Sequence, residues 1–192
     1  IAFCLTVVSA LCFASVSWSI QAAGGGLLLL GFMLDCMDGD LARLKGMKSP
    51  LGAMLDPVFD RLGEVAVIGG AAVGGWRTTG DPLWLLGGII LAGMSQVYFY
   101  ITDLMLNKVQ KDIGTVSQAG SIKILGTKVR FGTIEPFIWG QALFSFTGNA
   151  YWGIIVFGVM FTACNIVQLY RLITLSRAFS RTDSDEFGSH VW

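Results

Sequence analysis

Twenty residues without a charge open the chain: IAFCLTVVSALCFASVSWSI, Ile1 to Ile20. That length and character nearly match the roughly 20 apolar residues an α-helix needs to cross a bilayer. Further apolar runs follow along the 192 residues, and the overall balance agrees with them. The chain is 54% hydrophobic and 14% charged, against about 25% charge in a soluble domain. Mean hydropathy is +0.66. So little polar material cannot cover a water-exposed surface, and the expected class is an all-α, polytopic membrane protein. Formal net charge is zero, and no nucleic-acid motif is present; no nucleic-acid partner is expected.

Six transmembrane helices are expected, over residues 1–20, about 23–45, 50–75, 83–106, 131–146 and 151–175. Gln21 to Gly26 reads as a small-residue turn, and Pro50 suits the first turn of the third helix. Gly80-Asp81-Pro82 breaks the chain before the fourth. Asn107 to Arg130 is a long polar connection, Thr147 to Ala150 a tight turn, and 177–192 a polar tail. The whole of 1–192 reads as one domain, without internal repeats to suggest an inverted-repeat transporter. The first residue, Ile1, already lies inside an apolar run, so the start of the first helix is expected to be missing.

Charge placement fixes an orientation. With the Asp35–Pro50 end in the cytoplasm, that side receives Arg43, Lys45, Lys48, Lys108, Lys111, Lys123, Lys128, Arg130, Arg171, Arg177 and Arg181. The other side receives Arg77, and Arg61 lies within a span. The positive-inside rule then puts both termini in the cytoplasm. Cys4, Cys12, Cys36 and Cys164 sit in apolar runs without metal-ligand or disulfide spacing and read as small buried hydrophobes. The single histidine, His190, lies in the tail, which argues against Ser-His-Asp or Cys-His catalysis.

Against this apolar background one segment stands out, LDCMDGDLARLKGMKSPLGAMLDPVFDR at residues 34–61. Asp35 and Asp38 are three apart, Asp56 and Asp60 four apart, so on helices each pair shares a face. Ionised carboxylates at the end of a lipid-facing helix are costly unless paired or bound to metal. Four of them on one helical hairpin, without as many local bases, point to bound divalent cations; hard oxygen ligands suit Mg²⁺, Mn²⁺ or Ca²⁺. Two such ions about 4 Å apart could clamp a pyrophosphate. Gly39, Ala42 and Gly52 would let a nucleotide or its phosphates approach the backbone, or would simply serve close helix packing.

The pattern Asp35-x-x-Asp38-Gly39-x-x-Ala42-Arg43, eight residues, then Gly52-x-x-x-Asp56-x-x-x-Asp60, resembles the signature of the CDP-alcohol phosphotransferase (phosphatidyltransferase) family at all eight fixed positions. The resemblance implies metal ligation by Asp35, Asp38, Asp56 and Asp60, with two Mg²⁺ or Mn²⁺ ions per site. Asp60 would also be the general base. It would take the proton of an acceptor hydroxyl that attacks the β-phosphate of a CDP-alcohol and expels CMP. Gly39, Ala42, Arg43, Ser49 and Gly52 would form the CDP-alcohol site, with Arg43 neutralising phosphate. The partners implied are a CDP-linked lipid alcohol, a small polar acceptor, membrane lipids and a second copy of the chain. The Pro-Asn and Thr residues that family members carry at the start of the first span have no counterpart here; they would lie before Ile1. The wording around Cys36 and Leu44-Lys45 is closest to inositol-phosphate-type and archaeal members, and a prokaryotic plasma membrane is the expected location.

Several charges keep two readings. Asp40 reads as an interfacial charge near Arg43 and Lys45. Glu64 lies one turn beyond Asp60 with Arg61 nearby; it either supports the site from behind or forms an intramembrane ion pair. Asp103 is open. Lys123, Lys128 and Arg130 either answer anionic headgroups or bind the phosphate of an acceptor such as inositol phosphate or glycerol phosphate. The rival function is a divalent-cation transporter, since intramembrane acids also mark ion paths. Clustering of all four aspartates at one end, beside Arg43, favours a phosphate site. A non-catalytic scaffold ranks last because nothing in the motif is degraded.

Overall fold

The computed structural model describes residues 1–44, 50–102, 121–124, 127–130 and 134–189. Its helices are α1 (Ala2–Phe13), α2 (Trp18–Leu44), α3 (Pro50–Thr79), α4 (Leu83–Phe99), α5 (Ile134–Phe146) and α6 (Trp152–Ser189). A two-stranded antiparallel ribbon, β1 (Ser121–Ile124) and β2 (Thr127–Arg130), lies between α4 and α5. The described residues are thus helical apart from this ribbon. Three stretches are long and apolar enough to cross a membrane: Trp18–Asp38, Leu83–Thr102 and Trp152–Tyr170.

Two boundaries differ from those expected. The first helix stops at Phe13, and α2 begins at Trp18 rather than near Ala23. The serines explain the break. Ser15 Oγ accepts the Ser17 amide at 3.1 Å, a local bond that competes with helix continuation. Gln21, buried on the first turn of α2, donates through Nε2 to the Ser15 carbonyl at 2.8 Å. At the other end of the chain, α6 runs on through the charged segment to Ser189. The Gly80-Asp81-Pro82 breaker works as expected: Gly80 takes φ +77°, and Asp81 Oδ1 caps α4 by accepting the Leu83 amide at 2.9 Å.

By contacts the chain forms two compact units, residues 1–93 with 132–160, and residues 94–131 with 161–192. In the first, α1 packs on α2 and α3, and α2 on α5. Small residues make the close approach possible. Gly24 faces Cys12 and Phe13, while Gly70 and Gly74 on α3 face the Ala10 and Phe13 carbonyls of α1. Phe13, Leu28, Val67, Ile68 and Phe137 form the buried core. At the end of this unit remote from the aspartates, Trp18 Nε1 donates to the Phe146 carbonyl at 2.8 Å. Gln21 Oε1 accepts the Ala150 amide at 3.1 Å, and buried Gln141 donates to the Ala150 carbonyl at 2.9 Å. These bonds tie the α1–α2 turn to the α5–α6 turn.

The second unit pairs the end of α4 with α6. Asn165 Nδ2 donates to the Met94 and Phe161 carbonyls at 3.0 and 2.9 Å. The Tyr98 ring meets buried Phe161 edge-on, centroids 5.8 Å apart. Away from these contacts the helices present bare apolar side chains: Leu11, Ile89, Leu143 and Val159 are each about two-thirds exposed or more. Such a surface suits hydrocarbon rather than water.

Candidate active site

α2 carries Asp35 and Asp38, and α3 carries Asp56 and Asp60. Each helix delivers its carboxylates on one face because three or four residues make about one turn. Asp35 and Asp60 line a single cavity of about 90 Å³ in the first unit. Asp38 and Asp56 stand exposed near the helix ends and do not line it. Pro57 lies within α3 between Asp56 and Asp60. Lacking an N–H, it removes one helix hydrogen bond beside the two carboxylates.

The rest of the cavity comes from elements that the motif does not mention. Phe3 and Thr6 of α1 cover it, Leu28 and Phe32 of α2 and Val67 of α3 form its apolar wall, and Phe137 and Ile138 of α5 close it. Phe3 packs on Phe59 at a centroid separation of 5.1 Å. The motif itself gives no signal for Phe3 and Thr6, because α1 carries no charge. Its signal is indirect: Gly31 on α2 and Gly63 on α3 leave room for Leu5 and Thr6. Glu64 lines the same cavity, 3% exposed, and its Oε2 accepts from Arg61 Nη1 at 3.1 Å. Of the two readings left open for Glu64 the ion pair is formed, and it lies at the wall of the Asp60 cavity.

Gly39, Ala42 and Arg43 fall on the last turns of α2, where the backbone alone is described, as does Asp40. Ser49 and Asp103 lie outside the described residues, and Gly52 is exposed in the first turn of α3. The ribbon sets Lys123 opposite Lys128 and Ser121 opposite Arg130. Cys4, Cys12, Cys36 and Cys164 form no disulfide.

The donor set fits a hard divalent cation, since it consists of carboxylate oxygens. Among the described residues, no three acidic, histidine or cysteine side chains are gathered tightly enough to hold one ion as they stand. Asp35, Asp38, Asp56 and Asp60 are the residues that would hold it.

The profile of the CDP-alcohol phosphatidyltransferase family matches residues 1–163. The chain belongs to that family. Its members are transferases of substituted phosphate groups and are generally dependent on divalent cations. An archaetidylinositol phosphate synthase of Pyrococcus horikoshii is 40% identical over 62 residues, 31% of this chain and 33% of the relative. A bifunctional IPC transferase and DIPP synthase of Rubrobacter xylanophilus is 41% identical over 51 residues, 27% of this chain and 12% of the relative. The matches therefore span about a third and about an eighth of the lengths of these curated relatives. Nothing in the comparisons supports the cation-transporter alternative.

Proposed function

We propose that the chain transfers a phosphatidyl-type group from a CDP-linked lipid alcohol, such as CDP-diacylglycerol, to the hydroxyl of a small polar acceptor and releases CMP. Inositol phosphate and glycerol 3-phosphate are the leading acceptors; the name of the archaeal relative favours the first. The observation that carries the reading is the shared cavity of Asp35 and Asp60, the first and last aspartates of an eight-position family signature.

Asp60, only partly exposed, takes the acceptor's hydroxyl proton, and the freed oxygen attacks the β-phosphorus. The bond from phosphorus to the bridging oxygen of CMP then breaks, and CMP leaves with that oxygen. Arg43 neutralises the pyrophosphate, while Gly39, Ala42, Ser49 and Gly52 let the nucleotide lie against the backbone. Asp35, Asp38, Asp56 and Asp60 would hold Mg²⁺ or Mn²⁺, two ions per site, which would supply positive charge to the phosphates. Lys123, Lys128 and Arg130 hold the acceptor's own phosphate. The protein is a homodimer of six-span chains in a prokaryotic plasma membrane, with the aspartates facing the cytoplasm.

Purified protein in detergent, given CDP-diacylglycerol and Mg²⁺ or Mn²⁺, is expected to release CMP with one added acceptor among inositol phosphate, glycerol 3-phosphate, serine and inositol. Asp60→Asn should lower the rate by at least about 100-fold, the lower range for a lost general base. CMP release that persists undiminished in Asp60→Asn would remove Asp60 from its role. Binding of metal without turnover of any acceptor would point to another CDP-alcohol as donor.

A further inference from the structure

We propose that the seam between α4 and α6 in the second unit parts to admit water from the membrane surface to Asn165 and Gln168. No residue of the seam has a part in the reaction proposed above. The two helices meet in parallel order, Asn165 with Met94 and Gln168 with Thr102. The directions of these bonds are forced. Asn165 spends its amide protons on the Met94 and Phe161 carbonyls, at 3.0 and 2.9 Å; turned over, its oxygen would face two carbonyls. Thr102 gives its one hydroxyl proton to the Tyr98 carbonyl at 2.8 Å, so its oxygen accepts from Gln168 Nε2 over a long 3.4 Å. Asn165 Oδ1 and Gln168 Oε1 are left as acceptors; both are buried, and neither has a donor. Gln168 as a whole is 8% exposed.

The closed seam is thus held by polar side chains that it fails to satisfy. A buried acceptor without a donor forfeits the hydrogen bonds it made in water, and hydrocarbon offers none in exchange. Apolar side chains of similar volume would close the same two helices without that penalty. Water removes it when the helices part. Asn165 and Gln168 are three apart and share a face of α6, so one opening serves both. The way in is short. Thr102 ends the apolar stretch Leu83–Thr102, and Gln168 lies two residues before the end of Trp152–Tyr170. The Gln168–Thr102 contact is therefore at the edge of the span, and Met94 lies about 12 Å deeper at 1.5 Å per residue. That same end of α4 widens into a π turn over residues 100–102, a rare geometry that recurs at functional sites.

Cys164 reports the opening. It is partly exposed, precedes Asn165 and lies one turn before Gln168 on the same face of α6. The test uses the full chain in lipid nanodiscs, with Cys4, Cys12 and Cys36 replaced by alanine. A small charged methanethiosulfonate, which follows water and not lipid, should modify Cys164 at a measurable rate. In Asn165→Leu/Gln168→Leu that rate should fall about tenfold, since a closed seam no longer buries unmatched acceptors. The melting temperature of the same variant should rise. An unchanged or faster rate overturns the proposal, and so does a lower melting temperature. So does a Cys164 that the reagent never modifies in the parent chain. Should the double variant fail to fold, Gln168→Leu alone decides: slower modification is expected, and an unchanged or faster rate overturns it.

Discussion

Gly69 and Gly70 are neighbours on α3 with opposite surroundings. A β-carbon added at Gly70 would run into the backbone of Ala10 on α1, whereas one added at Gly69 meets nothing within 4 Å. Gly70→Ala therefore has to push α1 off α3, and overpacking of this kind costs about 1–3 kcal/mol. Gly69→Ala has no such penalty and should gain about 0.5–1 kcal/mol from the stiffer helix. Thermal unfolding in detergent should thus lower the melting temperature for Gly70→Ala and raise or preserve it for Gly69→Ala; equal shifts would contradict the α1–α3 contact. At this scale the charged residues were the legible ones. Four aspartates in apolar sequence declare themselves, whereas Phe3 and Thr6, which cover the same cavity, look like any other residues of an uncharged helix. Glu64 lay between these cases: its spacing allowed either a supporting role or an ion pair, and only the structure shows Arg61 as its partner.

Among the elements, the ribbon is the least expected. The segment Asn107–Arg130 reads as polar connection because its lysines dominate the composition. Yet Ser-Ile-Lys-Ile and Thr-Lys-Val-Arg alternate β-branched with polar residues on either side of Leu125-Gly126, a pattern suited to a hairpin. The α1–α2 break was hidden for a related reason: apolar residues continue through it, and Ser15, Ser17 and Gln21 end the helix by local hydrogen bonds rather than by a Gly or Pro. The long helices were easier, since Pro50 and Gly80-Asp81-Pro82 mark their ends. The ribbon also bears on the proposed acceptor site. Like charges directly opposite are unfavourable in a strand pair, and the register sets Lys123 opposite Lys128; a bound anion would offset that pairing. Lys128→Glu should raise the acceptor's KM on the order of tenfold, the loss of about one charge-assisted hydrogen bond. The KM of the CDP-alcohol should change by less than about twofold. Equal rises in both would assign the ribbon to the membrane surface rather than to the acceptor.

For the whole molecule, helix length and charge bear on how many times the chain crosses the bilayer. α2, α4 and α6 each contain a stretch long and apolar enough. α1 and α5, with 12 and 13 residues, reach about 18–20 Å at 1.5 Å per residue, short of a hydrocarbon core of about 30 Å. α3 has 30 residues, ample length, but its first half carries Asp56, Asp60, Arg61 and Glu64. Hydropathy rejects it for the charges that the proposed chemistry needs, and the Arg61–Glu64 pair is what makes their depth tolerable. If α3 crosses, the turn after Thr79 lies on the side opposite the aspartates; so does the Trp18 and Gln21 network, because α2 carries that network at its start and Asp35 and Asp38 toward its end. In the proposed six-span arrangement α5 crosses too, and the eleven cationic residues stay on the aspartate side; were α5 not to cross, Arg171, Arg177 and Arg181 would fall on the other. With the four cysteines replaced, single variants Thr79→Cys and Ser184→Cys can be tested in spheroplasts with a membrane-impermeant maleimide. Thr79→Cys should be labelled from outside, and Ser184→Cys only after the membrane is opened. Labelling of both from outside would mean that α5 does not cross and would overturn the six-span arrangement. Protection of Thr79→Cys until lysis would keep α3 from crossing and put the charge asymmetry to some other use.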